Sequence, residues 1–170
     1  VKYNCPIQNW PEEINITKKT IDVDLNLETN FGPESIKNNI DSKPEFVWMT
    51  AESLGDNDPA LNYYSNLPAV FIFDKPLLNY LQLSTKRIIF LLDCLRELSN
   101  KRSTQVYLDD PIEYLKNKNF ACTFAAVPKY KKITRVNIPT TEFPSVRLVK
   151  PINFYPSSYS SWKKRIELNT

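Results

Sequence analysis

The chain has 170 residues, of which 42% are hydrophobic and 24% charged, and its net charge of +3 is too small to indicate a polyanionic partner. It has no histidine and only two glycines, which excludes Ser–His, Cys–His and zinc-hydrolase mechanisms as well as glycine-rich phosphate loops. No apolar run approaches the roughly 20 residues of a membrane span, and no signal peptide is visible, so we expect a cytoplasmic protein without a membrane partner. Its three cysteines lack metal-ligand spacing, and we interpret Cys94 and Cys122 as small core residues.

The first elements follow a polar region. Residues 1–45 contain four prolines and are predicted to form a partly irregular extension, with one alternating run, Thr20–Leu27, typical of a strand at a sheet edge. The apolar run Phe46–Met49 predicts the first strand of a domain that spans residues 46–150. Pro59–Tyr64 predicts a short helix capped by Asp58.

A strand, a long helix and a second strand form the centre of this domain. The run Ala69–Phe73 is apolar at every position, which favours a parallel strand covered on both faces. A helix is predicted to begin at Ser84 or Thr85, and a crossover of this length returns the chain so that Thr104–Leu108 lies beside the previous strand. Its predicted buried face consists of Ile88, Ile89, Leu91, Leu92, Leu95 and Leu98. The alternative is a helical hairpin with two extended arms.

The remaining elements are shorter. Asp109–Leu115 predicts a helix with acidic residues at its start, and Phe120–Ala125 predicts the fourth strand. Lys129–Val136 is consistent with one helical turn or two, and Ser145–Lys150 is the candidate fifth strand. Residues 151–170 are a turn-rich tail that ends in a short helix.

Two charged features have competing interpretations. The basic clusters Lys129–Lys132 and Trp162–Arg165 each include an aromatic residue, a combination found in nucleic-acid contacts. We interpret them as solvated faces, so direct DNA binding is not expected. Asp109 and Asp110 have the chemistry for acid–base work or a divalent metal, but their place beside a proline at a helix start favours capping.

Four stretches together resemble the amino-terminal α/β domain of the DNA photolyase and cryptochrome family. Trp48–Leu61 aligns without a gap with the family pattern W-F-R-R-D-L-R-L-x-D-N-P-A-L, and Val70–Asp74 is similar to V-F-V-F-D. Gln105–Pro111 is similar to the turn L-x-V-x-x-G-D-P, and Phe154–Arg165 resembles the linker Y-x-V-F-T-P-F-x-x-x-W. The resemblance covers roughly residues 46–165, and the order of the pieces is its main support.

The resemblance implies a three-layer, Rossmann-like fold whose five-stranded parallel sheet has the order 3-2-1-4-5, with helices on both faces. In the family this domain can hold an antenna chromophore, a folate, a deazaflavin or a flavin, which passes excitation to FAD in a helical domain during light-driven DNA repair. This chain has no counterpart of the helical domain, so we expect neither FAD nor catalysis here. It would be a non-catalytic module that binds an antenna ligand or docks on a separate FAD-containing partner.

Departures from the family pattern favour an alternative function. The paired arginines of the family's first loop are replaced by Thr50 and Ala51, and a later arginine is replaced by Leu54. These losses favour a degenerate, photolyase-related adaptor that binds no chromophore and acts through protein association.

The ligand crevice of an open parallel sheet lies beyond the carboxyl ends of its strands, where the connections diverge. With the implied order, that point lies between the first and fourth strands. The candidate site residues are Met49, Thr50, Glu52, Ser53, Asp74, Asp109 and Lys129. The alternative is that Met49 is a core residue, that the two hydroxyls make local turn hydrogen bonds, and that Glu52 and Lys129 are merely solvated.

Overall fold

The computed structural model describes residues 31–81, 83–150 and 157–166, and within them the chain forms a six-stranded mixed sheet with helices. The strands are β1 (Lys37–Asn38), β2 (Phe46–Met49), β3 (Ala69–Asp74), β4 (Thr104–Asp109), β5 (Phe120–Thr123) and β6 (Thr141–Phe143). The helices are α1 (Pro59–Tyr63), α2 (Lys75–Leu81), α3 (Thr85–Ser99), α4 (Pro111–Tyr114), α5 (Pro128–Val136) and α6 (Tyr159–Lys163), with a 3-10 turn at Ala51–Ser53. None of the helices in these ranges is long and apolar enough to cross a membrane.

The order of the sheet is β1-β6-β5-β2-β3-β4, and every neighbouring pair is parallel except β1 and β6. The predicted α/β class is therefore confirmed, and β3 lies between β2 and β4 as expected. The prediction of a five-stranded, all-parallel sheet is wrong. The sixth strand comes from the predicted extension, where Lys37 and Asn38 pair antiparallel with the edge of β6.

The last parallel strand was predicted at Ser145–Lys150, and this prediction is wrong. The chain pairs with β5 earlier, at Thr141–Phe143, because this segment buries Thr141 and Phe143 against the core and Pro144 has no N–H to continue the ladder. In the predicted strand, the side chains of Val146 and Leu148 are 78% and 80% exposed. Thr20–Leu27, Cys5 and the end of the tail lie outside the described residues.

The sheet has a hydrophobic core on each face because successive side chains of a strand point in opposite directions. From β2, Trp48 packs on one face with Phe120 and Tyr130. Val47 and Met49 pack on the other face, with residues of α1 and α3. Strands β2 and β5 both contribute to the two cores, and every residue of these two strands is buried.

Helix α3 begins at Thr85 as predicted, but its buried face is narrower than the sequence pattern indicates. Only Leu91, Leu95 and Leu98 are buried in it, whereas Ile89 and Leu92 are about half exposed. The predicted six-residue buried face is wrong because α3 lies over the end of the sheet, where β4 is itself exposed. An apolar surface therefore remains uncovered at this end of the molecule, within the residues described.

Candidate functional site

A cavity of about 160 Å³ lies at the carboxyl ends of β2 and β3, beside the start of α5. The turn Thr50–Glu52 forms one side of it, and α2 with the residue Leu83 forms another. The walls are largely apolar: Trp48, Met49, Phe71, Ile72, Phe73, Leu77, Leu78, Leu91, Val127 and Ile133. The cavity therefore occupies the crevice where a parallel sheet places its ligands.

The polar feature of the cavity is an ion pair between two of its walls. Lys129, the second residue of α5, places Nζ 2.9 Å from Oδ2 of Asp74, the last residue of β3. The other carboxylate oxygen, Oδ1, accepts a hydrogen bond from the backbone N–H of Leu77 at 2.8 Å. Because the two side chains are only 28% and 11% exposed, this pair is better shielded than a surface salt bridge. Asp74 thus holds the start of α2 and the start of α5 together.

An aromatic pair forms the floor of the cavity. The rings of Trp48 and Tyr130 are parallel, with an interplanar angle of 2° and centroids 5.6 Å apart. The Tyr130 hydroxyl donates a 2.6 Å hydrogen bond to Glu142 Oε1 and lies 3.2 Å from the sulfur of Cys122. Burial raises the pKa of both Tyr130 and Cys122, so the thiol stays protonated and is not an available nucleophile.

Five of the seven predicted site residues line this cavity: Met49, Thr50, Glu52, Asp74 and Lys129. Met49 is 1% exposed and belongs to the core as well as to the cavity wall. Glu52 is exposed at the mouth. The sequence predicts Lys129 as either a ligand contact or a solvated charge. Neither interpretation includes its ion pair with Asp74, because the two residues are 55 positions apart in the chain.

The other two predicted residues lie elsewhere. The Ser53 hydroxyl accepts a hydrogen bond from the backbone N–H of Thr50 at 3.0 Å and so closes the turn beside the cavity. Asp109 is exposed at the end of β4 and accepts from the N–H of Asp110. Asp110 in turn accepts from the N–H of Ile112 at 2.9 Å, which confirms helix capping for this acidic pair. No group of three or more potential metal ligands occurs among the residues described.

The sequence reasoning missed helix α2, which covers the cavity with Leu77 and Leu78. No element is predicted between Ala69–Phe73 and the helix that begins at Ser84 or Thr85. A signal was present, because an aspartate followed within two residues by proline is a common helix start. In the structure, Asp74 acts as that cap.

Comparisons with family models, with curated proteins and with solved structures found no match for this chain. The resemblance to the photolyase and cryptochrome family therefore rests on the sequence motifs alone.

Proposed function

We propose that this chain is a non-catalytic module that binds a flat ring-shaped ligand in the cavity at the carboxyl ends of β2 and β3, beside the start of α5. The observation that carries the proposal is the cavity itself: apolar and aromatic walls around one shielded ion pair, at the ligand position of parallel sheets. The apolar walls would contact the faces of the ring, and Asp74 and Lys129 would hydrogen-bond with its polar edge.

The size of the cavity limits the ligand. Its 160 Å³ is close to the roughly 150 Å³ that accommodates benzene in an engineered protein cavity, and smaller than the roughly 300–1,000 Å³ of most ligand pockets. One ring system would enter, and the rest of the ligand would lie at the mouth beside Thr50 and Glu52. Of the antenna chromophores that the motifs imply, a folate, with its two-ring head, needs the least movement of α2. A three-ring flavin or deazaflavin needs more.

We infer further that β2 to β6 form a doubly wound unit of the photolyase type, with order 3-2-1-4-5, to which β1 adds an antiparallel edge. The pairing of β2 with both β3 and β5 supports this reading, because it puts the divergence of the connections at the cavity. The module would dock on a separate, cytoplasmic FAD-containing protein and act with it in light response or DNA repair. The chain itself would carry no FAD and would not contact DNA.

A second candidate function is that of an adaptor without a chromophore, which acts through protein association. The specific observation in its favour is the exposed apolar surface of α3, where Ile89 and Phe90 are 52% and 64% exposed. Co-purification with an FAD-containing protein would support this adaptor, provided that the chain purified alone is colourless. Failure to recover such a partner under mild lysis would count against it.

The ligand proposal is tested by absorbance and titration. The natively purified chain is expected to show a band between the near ultraviolet and the blue that leaves on denaturation, or to bind added folate or flavin. Lys129→Met should weaken binding by about tenfold, since a shielded polar contact of this kind contributes about 1.4 kcal/mol or more. The matched control is Lys132→Met, which removes an exposed lysine from the same helix and should leave the affinity unchanged.

Thermal unfolding of Lys129→Met separates loss of the contact from loss of the fold, because removing one partner also leaves Asp74 unpaired. A second variant, Thr50→Val, alters the mouth of the cavity without touching the ion pair. A colourless wild-type protein that binds neither folate nor flavin would refute the ligand proposal.

A further inference from the structure

We propose that two copies of this chain associate through the free edge of β4, antiparallel, so that their two sheets become one continuous sheet. The proposal concerns the end of the sheet farthest from β1 and is independent of any ligand in the cavity. It rests on the backbone edge, on the side chains beside it, and on the charges at its two ends.

The first observation is an unpaired backbone edge. Among the described residues, β4 pairs only with β3, in a register of six residues from Thr104 to Asp109. The N–H of Ala69 donates to the carbonyl of Ser103 at 2.8 Å. Since alternate residues of a strand present their N–H and C=O to opposite edges, the groups of Thr104, Val106 and Leu108 point away from β3. They form a row of donors and acceptors at the end of the sheet.

The second observation is that this edge lacks the usual protection. Natural edge strands carry lysine, proline, a bulge or an inward charge that prevents pairing with another chain. The segment Thr104–Leu108 has none of these residues, and its register with β3 is unbroken. Val106 and Leu108 are 43% and 63% exposed on the face that carries α3, where Leu92 is also exposed. The edge is therefore apolar as well as unpaired.

The third observation is self-complementarity. A two-fold axis at Val106, perpendicular to the sheet, puts Val106 opposite its own copy and Thr104 opposite Leu108 of the second copy. The backbone N–H and C=O groups of all three residues point away from β3, so about six backbone hydrogen bonds would form between the two chains. The side chains opposite each other would share a face and bury apolar surface.

Charge favours the antiparallel arrangement and a second copy as the occupant. The exposed Asp109 ends β4 and Asp110 follows it, whereas Lys101 and Arg102 precede it. Within the chain, Lys101 pairs with Asp56 and Arg102 donates to backbone carbonyls at the end of α1 and just after it, so these two charges contribute to the field at that end and not as free partners. In the antiparallel pair the basic end of each strand would lie beside the acidic end of the other, and a parallel pair would place like charges together. The symmetric contact closes on itself as a dimer and does not continue as a fibre.

Sedimentation velocity of the full chain across a concentration series tests the proposal. The wild type is expected to pass from monomer to dimer with rising concentration, and Val106→Pro to raise the dissociation constant by about tenfold or more. Proline at this position removes only an outward N–H and leaves the β3–β4 ladder intact. The matched control Val106→Thr keeps the N–H and the strand preference and should still dimerise.

Amide hydrogen exchange supplies a second measurement that does not depend on the variants folding. The N–H groups of Thr104, Val106 and Leu108 should gain protection as the concentration rises. Protection that is the same at every concentration would show that another part of the chain covers the edge, and would overturn the proposal. A wild type that stays monomeric, or a dimer unaffected by Val106→Pro, would overturn it as well.

Discussion

Replacing Gly32 with alanine tests how firmly the segment before β1 is attached to the core. Gly32 has a φ of 75°, in the left-handed region that favours glycine. A Cβ built there would overlap the ring of Phe124, which is 7% exposed and packs edge-on against Tyr130. Because the ring is buried against Tyr130, the added methyl group must displace the segment or distort the core.

The magnitude follows from these two causes. A non-glycine residue in a disfavoured backbone region costs about 1–3 kcal/mol, and an extra methyl group in a packed core costs about 1–3 kcal/mol. Partial relaxation of the segment lowers the sum, so we expect Gly32→Ala to reduce the free energy of unfolding by about 2–4 kcal/mol. For a chain of this size, the melting temperature would fall by roughly 5–15 °C.

Urea unfolding followed by circular dichroism measures this change, with the slope of the transition compared between variants. The chain offers a matched control, because a Cβ at Gly55 would meet nothing closer than the backbone nitrogen of Asn57 at 4.0 Å. Gly55→Ala should therefore change stability by less than about 0.5 kcal/mol. Equal effects of the two substitutions would refute the reasoning, and with it the packing of Gly32 on Phe124.

Two further predictions concern buried polar groups. Tyr130→Phe removes the 2.6 Å hydrogen bond to the partly buried Glu142, and chemical denaturation should show a free energy of unfolding that is lower by roughly 1.5–3 kcal/mol. The same change at the exposed Tyr107 should lower it by less than about 0.5 kcal/mol. Similar losses at both positions would argue against the buried hydrogen bond. Burial raises the pKa of the Asp58 carboxyl above its ordinary 3.8, so the folded state holds this proton to a higher pH than the unfolded state does. The contribution of Asp58 to the free energy of unfolding therefore falls as the pH rises from about that value. Asp58→Asn keeps an oxygen to cap Leu61, so its stability relative to wild type should increase with pH over this window, and a flat or falling difference would contradict the raised pKa.

The parts of the fold that the sequence predicted are those specified by local pattern. The apolar runs of β2, β3 and β5 are buried, and the caps at Asp58 and Asp110 hold their helices through the expected hydrogen bonds. Each of these features depends on residues that are neighbours in the chain. The predicted crevice lies between the first and fourth strands, whereas the cavity is lined by the ends of β2 and β3 and by the start of α5, so the strand order indicates its end of the sheet but not its walls.

The features that were missed depend on long-range pairing. Strand β1 has two exposed residues and no apolar pattern, and it exists only because Thr141 and Glu142 offer it an edge. The same edge explains the error at β6, since Ser145–Lys150 has more aliphatic residues but exposes Val146 and Leu148 and supplies no strand of the six-stranded sheet. Sequence patterns identify what can be buried, and the register of the sheet decides what is buried.

The two oxygens of Asp74 have different partners, which separates the support of the cavity wall from the proposed ligand contact. Oδ1 caps α2 through the N–H of Leu77, and Oδ2 contacts the ammonium group of Lys129. In the proposed complex, an acceptor group on the ligand would share the Lys129 ammonium group with Oδ2, without releasing the start of α2. The ion pair is therefore the part of the wall that would contact the ligand, whereas the cap keeps the apolar cover of Leu77 and Leu78 in place. This division makes Lys129, and not Asp74, the residue whose substitution reports on ligand binding.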